Sequence, residues 1–104
     1  MNTSEILVEA YGRIRQLVHR SIDGLDTEGL GYRPEPDANS IAWLVWHLTR
    51  IQDDHISEIA GRDQSWVTGG WVGKDGLPSD PVATGFGHTS EQVAAVRPTS
   101  ADVL

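Results

Sequence analysis

Apolar residues recur at helical spacing in two long stretches of the chain and lose their period elsewhere. The more informative stretch is Ala38 to Gly61, ANSIAWLVWHLTRIQDDHISEIAG, where Ile41, Leu44, Leu48, Ile51, His55 and Ile59 follow one another at three- and four-residue steps. Asp37 or Asn39 can cap the first turn, Gly61 can close the last in a left-handed C-cap, and no Pro interrupts the interior. The spacing therefore predicts a helix over about 38–61. Its aliphatic stripe is expected to be the core face, with Trp43 and Trp46 pointing away from it. In the N-terminal stretch Thr3 or Ser4 can act as N-cap, and Leu7, Tyr11, Ile14, Val18, Ile22 and Leu25 repeat at the same steps, which predicts a helix over about 3–24. The connection from Leu25 to Asp37 carries Gly29, Gly31, Pro34 and Pro36 and is long enough for an antiparallel return. Each helix then has one apolar stripe and needs the other to bury it.

The remaining segments are read from punctuation rather than period. Arg62 to Gly87 is rich in Gly, holds Pro78 and Pro81, and shows neither a helical nor a strand repeat. Trp66 and Trp71 nevertheless argue that it is ordered against the helices, because two free indoles would leave a large apolar area in water. Thr89-Ser90-Glu91-Gln92 reads as a capping box opening a short helix over about 89–96, which Pro98 closes. A second box, Thr99-Ser100-Ala101-Asp102, announces a further helix just before the last residue, a pattern expected of a C-terminally truncated domain. The fold class predicted is all-α: one domain over residues 1–104, built of two long antiparallel helices and a long Trp/Gly-rich loop.

Composition narrows the function classes. The chain has 104 residues, 38% of them hydrophobic, which allows one modest core. A formal net charge of −7 with no Lys/Arg run argues against nucleic acid and against an anionic membrane surface. Small molecules or protein are the expected partners. The absence of Cys removes disulfides, a thiolate nucleophile and Cys-type zinc sites. The first residues show no basic and apolar leader pattern and no stretch is apolar enough to span a bilayer, so a cytoplasmic location is expected.

Candidate chemistry gathers on the second helix. At about 100° per residue, His47 lies at the border of the aliphatic stripe, with Trp43 and Asp54 within about 40° on its other side. An imidazole there can reach a polar pocket with an indole wall and a carboxylate two turns away. The helical rise sets His47 and Asp54 roughly 10 Å apart along the axis, so direct cooperation of the two on one ion is not expected, and His55 faces the same objection. The plain alternative for His47 is a border residue satisfied by a hydrogen bond. His19 lies off the first stripe and reads as a surface residue. His88, beside the capping box, reads as a surface residue that could be recruited to a site.

Asn39-Ser40-Ile41-Ala42-Trp43-Leu44-Val45-Trp46-His47-Leu48, then Asp53-Asp54-His55 and Gly61-Arg62 with Trp66 and Trp71, resembles the second helix and following loop of the DinB-like superfamily, in its actinobacterial branch of mycothiol-dependent transferases. The resemblance covers the N-terminal two-thirds of such a domain. It implies a four-helix bundle and a divalent metal, zinc or nickel, held by one His of the second helix and two ligands of the last. His47 matches that first ligand, with Trp43, Asp54 and His55 as wall or supporting candidates, while the other two ligands have no counterpart in this chain. The implied activity is transfer from mycothiol or a similar thiol to a small electrophile, on a site that 104 residues do not complete. The alternative is a non-catalytic helical module that self-associates. In either case a second copy could supply the missing half of the bundle, so a homodimer is expected.

Overall fold

Helix starts in this chain follow side-chain oxygens. In the computed structural model, which describes residues 2–104, Asn2 caps the first helix, α1 (Thr3–Ile22), in a reciprocal box with Glu5. Asp26 caps α2 (Thr27–Gly31), and Ser40 caps α3 (Ile41–Ala60) by accepting from Trp43 N at 3.0 Å. Two of these differ from the sequence expectation. Thr3 and Ser4 lie inside the first turn of α1 rather than before it. Asp37 and Asn39 precede α3, where a turn closed by Ala38 N on the Glu35 carbonyl keeps the chain non-helical until Ser40. Gly61 ends α3 at φ +66°, the left-handed conformation expected of it.

After α3 come α4 (Ser65–Thr68), a 3-10 turn at Lys74–Gly76, α5 (Ser90–Ala94) and a 3-10 turn at Ala101–Val103. The Thr89–Gln92 capping box opens α5 as the pattern indicates. At the second pattern the cap is Ser100 rather than Thr99, and one 3-10 turn follows. Thr99 is engaged elsewhere, its backbone N–H and hydroxyl donating to the Asp75 carboxylate. No strand occurs among the described residues, only an isolated bridge pair of Asp26 and Ser100, and no helix is long and apolar enough to cross a membrane.

The core lies on the face of α3 opposite to the one expected. Ala42, Trp43, Val45, Trp46, Arg50 and Ser57 are its buried residues, packed with Leu30 of α2, Trp66 of α4, Leu77, Val93 of α5 and Val96. The aliphatic stripe faces outward, with Leu44, Leu48 and Ile59 exposed at 47%, 42% and 83%. Size explains the choice. An indole buries on the order of 150–250 Å², more than Leu or Ile can, and the Gly-rich loop is flexible enough to wrap two of them. Trp66 is buried accordingly, while Trp71 is half-buried with the Lys74 ammonium 4.6 Å from its ring centroid.

The expectation that the two long helices bury each other's stripes is also corrected. From α1 only Ile22 is fully buried, whereas Leu7, Tyr11, Ile14 and Leu17 are exposed. A groove of about 310 Å³ runs between the helices, with Tyr11, Ile14 and Val18 on one wall and Leu48, Thr49 and Gln52 on the other. α3 has thus been drawn onto the loop segments that follow it, which leaves both aliphatic stripes without a cover in the single chain.

Stability should reflect this division. Leu30→Ala, a fully buried site, is expected to cost about 2–5 kcal/mol, and Val82→Ala, at a 79% exposed loop position outside both stripes, to stay within about 0.5 kcal/mol. Urea unfolding of both variants at one fixed protein concentration checks it; a large loss at Val82 would place that loop side chain in the core after all.

Candidate functional site

One helical row of α3 carries Trp43, Trp46, Arg50, Asp53 and Ser57, and the chain after α3 closes over it. Arg50 is 1% exposed. Its Nε donates to the Ala83 carbonyl at 2.8 Å, its Nη1 donates to Gln64 Oε1 at 2.7 Å and lies 3.7 Å from Asp53 Oδ2, and its guanidinium carbon is 5.2 Å from the Trp66 ring centroid. Asp53 in turn accepts from the backbone N–H groups of Ser65 and Trp66, at 2.9 and 2.7 Å, and from the Ser57 hydroxyl. A carboxylate before α4 thereby meets the free N–H groups of that helix start. Burial alone would raise the Asp53 pKa, but the Trp66 and Ser65 N–H groups, the Ser57 hydroxyl and the Arg50 charge together hold it below the usual carboxylate value. Burial lowers the Arg50 pKa, opposed by the charges of Asp53 and Asp54.

One turn toward the N-terminus of α3, His47 sits half-buried at the edge of the same cluster. Its ring stacks on Trp43, centroids 4.6 Å apart and planes within 18°, and its Nδ1–H donates to the Thr84 carbonyl. A carbonyl only accepts, so the neutral ring carries its proton on Nδ1 and its lone pair on Nε2. Gly85 makes this contact possible. At φ +93°, a Cβ there would meet His47 Nδ1 at 2.7 Å and the rings of Trp43 and Trp46 at 3.0 and 3.1 Å.

His88 completes the arrangement. Its Nδ1 accepts from Trp43 Nε1 at 3.1 Å, and its ring stacks on Trp46 with centroids 5.6 Å apart. Burial, and after it the neighbouring His47, lower the His88 pKa. Protonation would also put a hydrogen on the nitrogen that accepts from Trp43. Sequence reasoning treated His88 as a surface residue, whereas it packs into the aromatic cluster; no local spacing signals a contact that spans 45 positions.

Of the residues singled out beside His47, the structure brings Trp43 to it and leaves the other two apart. Asp54 accepts from Gln64 Nε2 at 2.9 Å, and His55 points to solvent beside Asp54, at 3.5 Å from its carboxylate. His19 is exposed, as its position off the stripe indicates. No group of three or more His, Asp or Glu suited to hold a metal occurs among the described residues. Arg50, Asp53 and Gln64 were missed because charged and amide side chains read as solvated ones.

Two pH windows follow from the shifts. His88 binds its proton less readily in the folded chain than at its ordinary 6.5, so its contribution to stability is complete above that value and is lost as pH falls through the lowered one. Asp53 contributes fully above 3.8 and loses its share as pH falls below that value. Chemical denaturation across pH 3–7 should show both declines. His88→Gln should remove the upper and Asp53→Asn the lower, and an unchanged profile in either variant would contradict the assignment.

Comparison with known proteins adds the family. No curated protein matches the chain. The crystal structure of a conserved protein from Enterococcus faecalis superposes with a TM-score of 0.83 at 24% identity, over 99% of this chain and 61% of that one, which establishes a shared fold. The present chain thus spans about three-fifths of that protein's length. The family pattern of the DinB superfamily matches residues 10–103, and the chain belongs to that superfamily.

Proposed function

We propose that this chain contributes one imidazole, His47 Nε2, to a divalent metal centre of the zinc or nickel kind, in a thiol-transfer protein related to the mycothiol-dependent transferases. The observation that supports it is the Nδ1–H to Thr84 carbonyl bond. Metal-bound imidazoles characteristically donate their second nitrogen to a carbonyl or carboxylate, which fixes the tautomer and aims the lone pair. Trp43 holds the plane of the ring by stacking, and Gly85 keeps the carbonyl within reach. His47 therefore fits the part of one ligand. The described residues do not supply the other ligands. A bound divalent ion would supply Lewis acidity, lowering the pKa of a thiol so that it reacts as a thiolate near neutral pH. The chain's own share is to hold His47 in one tautomer and orientation against the aromatic cluster, with a small thiol and an electrophile as its substrates.

The rest of the bundle is proposed to come from a second copy. The uncovered stripes of α1 and α3 form half of a four-helix core, and a two-fold axis would make that half self-complementary, giving a homodimer without new sequence. A non-catalytic self-association module remains the alternative, and it shares this surface.

Two measurements test the reading. Titration of the isolated chain with Zn²⁺ or Ni²⁺, followed through imidazole NMR signals, should show weak binding that perturbs His47 first and is lost in His47→Ala. A tightly held stoichiometric ion persisting in that variant would sink it. Light scattering across a dilution series, with circular dichroism on the same samples, should show dimers dissociating as helicity falls. A well-folded monomer at low micromolar concentration would refute the dimer.

A further inference from the structure

Asp is followed by Gly at two places in the chain, Asp23-Gly24 and Asp75-Gly76. A glycine presents the preceding carboxyl group with an amide nitrogen that no side chain shields, so these are the positions where a main-chain nitrogen most readily attacks an aspartyl side chain. Ring closure requires the backbone to rotate about the Asp ψ angle until that nitrogen meets the side-chain carbon. What opposes this rotation decides which of the two reacts.

Both pairs occupy the centre of a tight turn. Asp23 (φ −59°, ψ 127°) and Gly24 (φ +77°) have the angles of a type II turn, closed by the Leu25 N–H on the Ile22 carbonyl at 3.1 Å. Asp23 is exposed, and among the described residues its carboxylate has no hydrogen-bond or ion-pair partner and the Gly24 N–H no acceptor. Asp75 (φ 43°, ψ 57°) and Gly76 (φ +76°) form a turn with two positive φ values, closed by the Leu77 N–H on the Lys74 carbonyl at 3.0 Å. There the Asp75 carboxylate accepts from the Thr99 N–H at 3.1 Å and from the Thr99 hydroxyl at 2.8 Å, and the Gly76 carbonyl accepts from the Arg97 N–H at 3.0 Å. Rotation at Asp75 would break these bonds together, whereas the Asp23 turn opens locally against little resistance.

We propose that Asp23 is a site of spontaneous conversion to isoaspartate, and that the fold protects Asp75 from the same reaction. The Gly24 nitrogen bonds to Asp23 Cγ, and the amide proton and the carboxyl hydroxyl leave as water. The cyclic imide then takes up one water. Addition at the main-chain carbonyl routes the peptide through the former side chain, with no net change in mass and no co-reactant but water. The product carries one more main-chain methylene between Ile22, the fully buried residue of α1, and Leu25, which packs against the same core. The spacing that seats both residues is lost, and α1 loses its anchor. None of this depends on the metal or dimer readings.

The test is incubation of the wild-type chain at neutral pH and body temperature, followed by peptide mapping with an endoproteinase that cleaves before Asp but not before isoaspartate. Isoaspartate should accumulate several-fold faster at 23 than at 75. In concentrated urea the two rates should converge, since the dipeptide is the same. Thr99→Val should raise the rate at 75 in the folded chain and leave 23 unchanged. Trypsin should cut the converted chain within α1, after Arg13, Arg15 or Arg20, several-fold faster than the fresh chain. Comparable rates at 23 and 75 in the folded chain, or a gap that persists in urea, would overturn the proposal. Equal trypsin cutting of fresh and converted chains would overturn the loosening of α1. The wild-type comparison decides the question even if Thr99→Val does not fold.

Discussion

A single buried cation fastens the irregular half of this protein to its central helix. Arg50 reaches the Ala83 carbonyl on one side and Gln64 and Asp53 on the other, and Asp53 caps the start of α4. The segments before and after the Trp66–Val82 excursion are therefore tied to the same turn of α3. Thr84 follows Ala83 directly, so the carbonyl that holds His47 is positioned by the bond that Arg50 makes one residue earlier. Removing one partner from a buried ion pair typically costs about 3–5 kcal/mol, because the survivor is left without compensation. That is comparable with losing a large core side chain.

How much of this was legible in the sequence depends on which physical signal each residue sends. The extent of α3, its Gly61 terminus and the Thr89 capping box were readable because capping is local chemistry. The buried face of α3 was not, although Trp43, Trp46, Arg50, Asp53 and Ser57 keep helical three- and four-residue steps as regularly as the aliphatic row does. Hydropathy weights Leu and Ile above Trp and counts Arg and Asp as solvated, so the row that contributes most buried area was discounted. The pairing of α1 with α3 was overestimated for a related reason: an amphipathic stripe shows that a helix requires a partner, not which segment supplies it.

At the candidate site, the position of His47 on the border of the stripe was visible, while what surrounds it was not. Thr84, Gly85 and His88 lie 37 to 41 positions away and reach His47 or Trp43 through a loop with no periodicity. Gly85 could have been suspected as the first glycine of Gly85-Phe86-Gly87, but sequence alone does not reveal which ring it packs under. Asp54 and His55, attractive on the helical wheel, are drawn to Gln64 and to solvent because the loop approaches α3 from the Arg50 side.

The two faces of α3 also separate two tasks. Everything that orients His47, namely the Trp43 stack, the Thr84 carbonyl and the Gly85 approach, belongs to the finished aromatic face and is made within one chain. The aliphatic face, which remains open, takes no part in that orientation. In the proposed centre, a metal would thus meet one ligand whose rotamer and tautomer are already set, and the ordering cost on binding would fall on the ligands still to come. An imidazole left on the aliphatic stripe would have been ordered only when that face was covered. Placing it at the border with the indoles means that every contact setting its geometry comes from its own chain, even though completion of the site would depend on assembly.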